Sequence, residues 1–94
     1  MENDGYFVYI LLCADKTFYI GTSNDVSKRV ATHNAGKGAK YTKTRRPVKL
    51  LYHEDQHTKS DALKREIELK KFSRKKKEHF LQSKGINWRD FLIS

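Results

Sequence analysis

Little in this chain can cross-link it or carry it into a membrane. Its one cysteine, Cys13, excludes an internal disulfide and any zinc site built from several thiolates. Cys13 sits in an apolar run, the setting of a buried, inert thiol. The longest apolar stretch, Phe7 to Ala14, falls far short of the roughly 20 residues that span a bilayer. No basic segment precedes it as in a signal peptide, so the expectation is a soluble, cytoplasmic protein without a membrane partner. Proline occurs once, at Pro47, and there is no internal repeat or long linker. Acidic residues are scarce: eleven Asp and Glu face twenty Lys and Arg, a net charge of +9. Such an excess costs some self-repulsion and favours an acidic partner such as nucleic acid. With 94 residues the chain is expected to form one domain, residues 1–94, burying roughly 60–70% of its unfolded surface.

Tyr6 to Cys13 is rich in β-branched and aromatic residues, Ala14-Asp15-Lys16 interrupts, and Thr17 to Ile20 resumes the pattern, which predicts a hairpin. Gly21 ends the second run. Ser23 or Asp25 can cap a helix from Val26 to Ala35, with Gly36 placed to stop it. Residues 36–46 hold glycine and charge without an apolar period and read as a loop. Val48 to Glu54 predicts a third strand, with Pro47 at its start, where a missing N–H does least harm. Thr58, with Asp61 three residues on, forms a capping box for a helix reaching Phe72. Ser73 can cap a last short helix carrying Phe80 and Leu81, before a tail with Trp88, Phe91 and Leu92. The order β-β-α-β-α-α implies an α+β fold, a small three-stranded, mainly antiparallel sheet flanked by helices.

Three features carry chemistry. Tyr9 and Tyr19 are both odd-numbered, so a hairpin register pairing odd with odd puts both phenols on one face of the sheet. Arg29 and His33 are one helical turn apart and share a face. Glu66 falls inside the arc defined by Ala62, Leu63, Ile67 and Leu69, where a carboxylate needs a partner. Lys70, four residues on, can be that partner in a simple ion pair, and a divalent metal is the other option.

Val8-Tyr9-Ile10, Tyr19-Ile20-Gly21, Arg29, His33-Asn34 followed by a glycine-containing basic loop, Arg46-Pro47, and Ala62-Leu63-x-x-Glu66 occur in the order of the motifs of the GIY-YIG nuclease superfamily. The chain resembles that superfamily over residues 6–72, with 73–94 as a basic helical extension, and its size resembles the small stand-alone bacterial group, whose members are largely uncharacterised. The resemblance implies metal-dependent hydrolysis of phosphodiester bonds, in DNA rather than RNA, with Mg²⁺ as cofactor and Mn²⁺ as its substitute. It makes Tyr9 the general base, Tyr19 a residue that orients water or substrate, Arg29 the group that stabilises the phosphoryl transition state, and Glu66 the metal ligand. His33 matches a histidine found in several branches. Catalytic members also carry an asparagine beyond the glutamate, at a spacing where this chain has Glu78 to Leu81. Its absence keeps a second reading open, a nucleic-acid-binding module of the same fold with weak or no catalysis.

An unperturbed phenol is only ~0.3% ionised near pH 7.5. A tyrosine base therefore requires a strongly positive site, for which Lys28, Lys37 and Lys40 are candidates, or else turnover is slow and favours alkaline pH. Lys37, Lys40, Lys43, Arg45 and Arg46, with Tyr41 among them, suit a phosphate track with base stacking. Lys75 and Lys76, in the run Arg74 to Lys77, add backbone contacts at a helix start. Nothing predicts readout of base edges, so selection by nucleic-acid structure is expected rather than by sequence.

Overall fold

The computed structural model describes residues 5–92. Strands β1 (Tyr6–Leu12) and β2 (Phe18–Ser23) form the expected hairpin, and β3 (Lys49–Gln56) pairs with the other edge of β1, so the order is β2-β1-β3 with both pairings antiparallel. The hairpin turn is held by Asp15, whose carboxylate accepts from the Thr17 backbone N–H and hydroxyl at 3.1 and 2.6 Å. Tyr9 faces Gly21 and Leu11 faces Tyr19, so odd pairs with odd.

Helix α1 (Val26–Asn34) begins at Asp25, whose side chain accepts from the Lys28 N–H at 3.1 Å. It ends at Gly36, where a positive φ of 81° lets the Lys37 N–H reach back to the Thr32 carbonyl. The stretch expected as loop contains a short helix, α2 (Lys40–Lys43). No apolar period announced it, because it is one turn long and buries a single polar side chain, Thr42. Helices α3 (Lys59–Lys70) and α4 (Arg74–Ser83) start at Thr58 and Ser73, each accepting from a backbone N–H three residues on. A 3₁₀ turn, Trp88–Phe91, follows. Among the described residues no helix is long and apolar enough to cross a membrane.

Period-two alternation on β1 gives the sheet two buried faces. Val8, Ile10 and Leu12 join Ile20, Leu51, Ala62, Leu69, Leu81 and Trp88 on the α3/α4 side. Tyr9, Leu11 and Cys13 join Val26 and Val48 on the α1 side. The buried cysteine is as expected. The apolar arc expected on α3 is not its buried face: Leu63 and Ile67 are 42% and 56% exposed, while Ala62 and Leu69 are buried. The small Ala62 side chain lets the helix approach the sheet, and the inward row becomes 62, 66, 69. Glu66 remains on that inward row, its side chain 16% exposed.

Candidate active site

The hairpin register and α1 bring three of the candidate residues into contact. The Tyr9 hydroxyl lies 2.9 Å from His33 Nε2, both residues being almost fully buried. The Tyr19 ring packs on His33 and Tyr9 with centroids 5.2 and 6.5 Å apart. Room for this is made by two glycines. A Cβ on Gly21 would come within 2.6 Å of the Tyr9 hydroxyl, and one on Gly38 would overlap His33 Nδ1 and sit 2.9 Å from its Cα.

Thr42 completes the group and had no signal in the sequence beyond its place among basic residues. Its hydroxyl is 2.8 Å from His33 Nδ1 and 3.0 Å from the Ala39 carbonyl. A hydroxyl has one proton to give. If it goes to the Ala39 carbonyl, Nδ1–H donates to Thr42 and Nε2 is left bare to accept the Tyr9 O–H. The Ala39 N–H, 3.4 Å from Nδ1, is the weaker competitor for that nitrogen. The tautomer is thus assigned from the hydrogen-bond network.

Burial pushes the Tyr9 phenol above its ordinary range; Arg29 opposes this, while the Tyr19 and Glu66 charges add to it. Burial, with the Arg29 charge, pushes His33 down, keeping the imidazole neutral near pH 7. The cation with the largest effect on Tyr9 is Arg29.

Glu66 stands on α3, which packs on the other face of the sheet, and its charge adds a small upward push to Tyr9. Lys70 Nζ holds its Oε2 at 2.6 Å, the ion pair weighed from the sequence. Among the described residues no three His, Cys, Asp or Glu side chains gather where they could share a metal ion. One partly accessible carboxylate does fit a hard cation that keeps most of its waters and takes substrate phosphate oxygens as further ligands.

The basic candidates divide. Lys37, Lys40 and Lys43 are exposed beside the site. Arg45 is turned inward on the fold: its Nε pairs with Asp15 at 2.9 Å, Nη1 donates to the Tyr41 carbonyl at 2.8 Å, and its guanidinium lies over the Tyr41 ring. Arg46 donates to the Lys43 and Asn34 carbonyls at 2.8 and 3.2 Å. Both brace the loop. Lys75 and Lys76 are exposed at the start of α4, Lys76 over the Phe72 ring at 4.3 Å. Where the resemblance leads one to look for an asparagine, Glu78 pairs with Arg74 at 2.8 Å, Phe80 packs on Tyr52 and Leu81 is fully buried.

The fold is thus a small α+β domain in which two phenols and an imidazole meet over an antiparallel hairpin, with Arg29 and Glu66 acting on Tyr9. Residues 5–79 match the GIY-YIG catalytic domain, and the chain belongs to that family. It is 53% identical over 89 residues to a UPF0213 protein of Lacticaseibacillus paracasei, covering 95% of this chain and 100% of that one. It is 50% identical over 84 residues to the UPF0213 protein YazA of Bacillus subtilis, covering 89% and 85% of the two. Two solution NMR structures are similar, each with a TM-score of 0.57. One is a UPF0213 protein from Bacillus halodurans, 42% identical over 86% of both chains; the other is from E. faecalis, 40% identical over 87% of this chain and 86% of that one.

Proposed function

We propose that this protein binds nucleic acid across the face formed by α1, α2 and the β2 edge, and that its Tyr9 centre hydrolyses phosphodiester bonds only slowly. The observation that carries the reading is the 2.9 Å contact between the Tyr9 hydroxyl and His33 Nε2. It supplies a proton acceptor for the phenol, and the same contact explains the slow rate. The ordinary values of phenol and imidazole lie about 3.5 units apart, and a unit is worth about 1.4 kcal/mol. Burial raises Tyr9 and lowers His33, widening that gap. On the ordinary values, moving the proton from Tyr9 to His33 is uphill by roughly 5 kcal/mol before the attraction of the resulting ion pair is counted.

In this reading Tyr9, relieved of its proton by His33, takes a proton from the attacking water. Thr42 holds the imidazole in the tautomer that can accept, Tyr19 walls the site, and Arg29 clamps the phosphate oxygens. Mg²⁺, with Glu66 as its protein ligand, would supply positive charge to the phosphoryl group. Lys70, paired with Glu66 at 2.6 Å, would compete with that cation for the carboxylate.

A competing reading is an efficient structure-selective DNA endonuclease. The intact set of Tyr9, Tyr19, Arg29, His33 and Glu66 favours it. The two are separated by incubating the protein with labelled single-stranded, duplex, flap and branched DNA in Mg²⁺, Mn²⁺ or EDTA, beside Tyr9→Phe. Tight, salt-sensitive binding with slow, metal-dependent products that vanish in Tyr9→Phe is expected. Many turnovers per minute on one substrate would establish the endonuclease, and no binding to any of them would sink both.

A further inference from the structure

At the hairpin end of the sheet lies a pocket of about 300 Å³ to which none of the candidate site residues contributes. Its walls come from three places far apart in the chain: Leu12, Cys13 and Ala14 where β1 ends, Pro47 ahead of β3, and Phe91 and Leu92 beyond the last helix. The volume is at the small end of the range for ligand sites, and apolar walls with a few polar groups are what such sites present.

Two charged side chains line the pocket, Lys16 and Lys49, and no carboxylate does. Lys49 is half-buried. Its Nζ donates to the Phe91 carbonyl at 2.7 Å, which ties the tail to β3 and leaves two of its three N–H groups for another acceptor. Lys16 stands in the hairpin turn with a φ of 72°, where glycine or asparagine sits with less strain. A lysine in that conformation is uncommon, and here its side chain is part of the pocket wall. The acid of the same turn, Asp15, is already engaged by Arg45 at 2.9 Å and by the Thr17 hydroxyl at 2.6 Å. The pocket is thus apolar in its walls and positive in its charge.

We propose that it binds a small apolar carboxylate of the medium-chain fatty-acid kind, the chain on the apolar walls and the carboxylate on Lys49 and Lys16. Apolar surface leaving water on both partners drives the chain in. The two ammonium groups select the head. A cation would meet like charge, and an alcohol would forgo the charge-assisted hydrogen bonds. A phosphate monoester would bring up to two charges against a half-buried lysine, a larger desolvation cost than the single charge of a carboxylate.

The test is a titration of the protein with octanoate, octanol and octylammonium at about pH 7.5, where the carboxylate is ionised, read by amide shifts in two-dimensional NMR. Octanoate is expected to bind at least about tenfold more tightly than octanol, the low end of what a hydrogen bond to a charged group contributes, and octylammonium not to bind. The shifts should centre on Leu12, Cys13 and Phe91 and leave Tyr9 and His33 in place. Lys49→Met should remove most of the preference for octanoate and leave octanol binding unchanged. Lys16→Asn, which the turn accommodates and which leaves the Phe91 bond intact, should reduce the preference by a smaller factor. Leu92→Ala should weaken both probes alike, and Lys64→Gln, exposed on α3, should change neither. Circular dichroism checks that each variant is folded. Equal binding of octanoate and octanol, lysine variants that behave as Lys64→Gln, shifts centred elsewhere, or no binding of either probe would overturn the assignment. If both probes bind only after residues 93–94 are removed, the chain itself is the occupant and the proposal falls.

Discussion

Acid should unfold this protein through one histidine. His33 is fully buried against Tyr9 of β1, Tyr19 of β2, Thr42 of α2 and the Arg29 charge of its own helix. Its pKa in the folded protein lies below the unfolded value, which is about 6.5. Between those two values the unfolded chain binds one more proton than the folded one, so stability rises with pH and is lost as pH falls. The slope in that window is about 1.4 kcal/mol per pH unit for this single group. Above about pH 6.5 the contribution of His33 is fully present, and below its folded value the loss is complete and the curve flattens. For a domain of this size each kcal/mol moves the midpoint by roughly 4–8 °C, so the wild-type midpoint should fall as pH drops from 6.5 to 5.5, by at most about that much. Carboxylates mostly titrate lower, below about pH 4.5, outside the window. Circular dichroism melts of wild type and His33→Gln across pH 5–7.5 read the effect directly, since the exposed His53, His57 and His79 are common to both. Parallel pH curves for the two proteins would refute the reasoning.

Three further outcomes are expected. Asn34 Oδ1 accepts from the Val48 N–H at 2.7 Å and its Nδ2 donates to the Val48 carbonyl at 3.0 Å, clipping α1 to the start of β3. Asn34→Ala should cost about 1–3 kcal/mol, two hydrogen bonds of ordinary net worth, measured by urea unfolding with the fluorescence of Trp88 as probe. Arg45→Ala, which removes the Asp15 pair and the Tyr41 contacts, should lower the melting temperature and change the salt slope of DNA binding less than Lys40→Ala does; the reverse order would place Arg45 on phosphate. Because in the proposed chemistry Tyr9 passes its proton to His33 within the site, any metal-dependent cleavage should rise only as His33 loses its own proton, below about pH 6.5, and then stay level to about pH 9; a rate that keeps climbing from pH 7 to 9.5 would mean that the phenol loses its proton to solvent and would exclude His33 as its acceptor.

Regular periods made much of this molecule legible from its residues. Alternation put Tyr9 and Tyr19 on one face, and their observed register bears this out. Helical spacing joined Arg29 to His33 and Glu66 to Lys70, and the caps at Asp25, Thr58 and Ser73 and the stop at Gly36 stand where short-range chemistry places them. These features depend on a few neighbouring residues, so a linear string carries them.

The remainder depended on segments far apart in the chain meeting. Leu63 and Ile67 read as core, yet the approach of α3 to the sheet is set by the small Ala62 side chain, which turns them to solvent. Arg45 and Arg46 read as free cations, and only the folded loop shows them spent on Asp15, Tyr41, Lys43 and Asn34. Thr42 carries no signal in a polar run until α2 closes over His33. Sequence alone settled the three strands and the longer helices, and that Tyr9 and Tyr19 share a face, because backbone geometry repeats at fixed intervals. Tertiary structure alone decided which phenol meets which imidazole, in what burial, and which arginines are spent on bracing the fold, because charge and proton affinity are set by all the groups that surround a side chain in space.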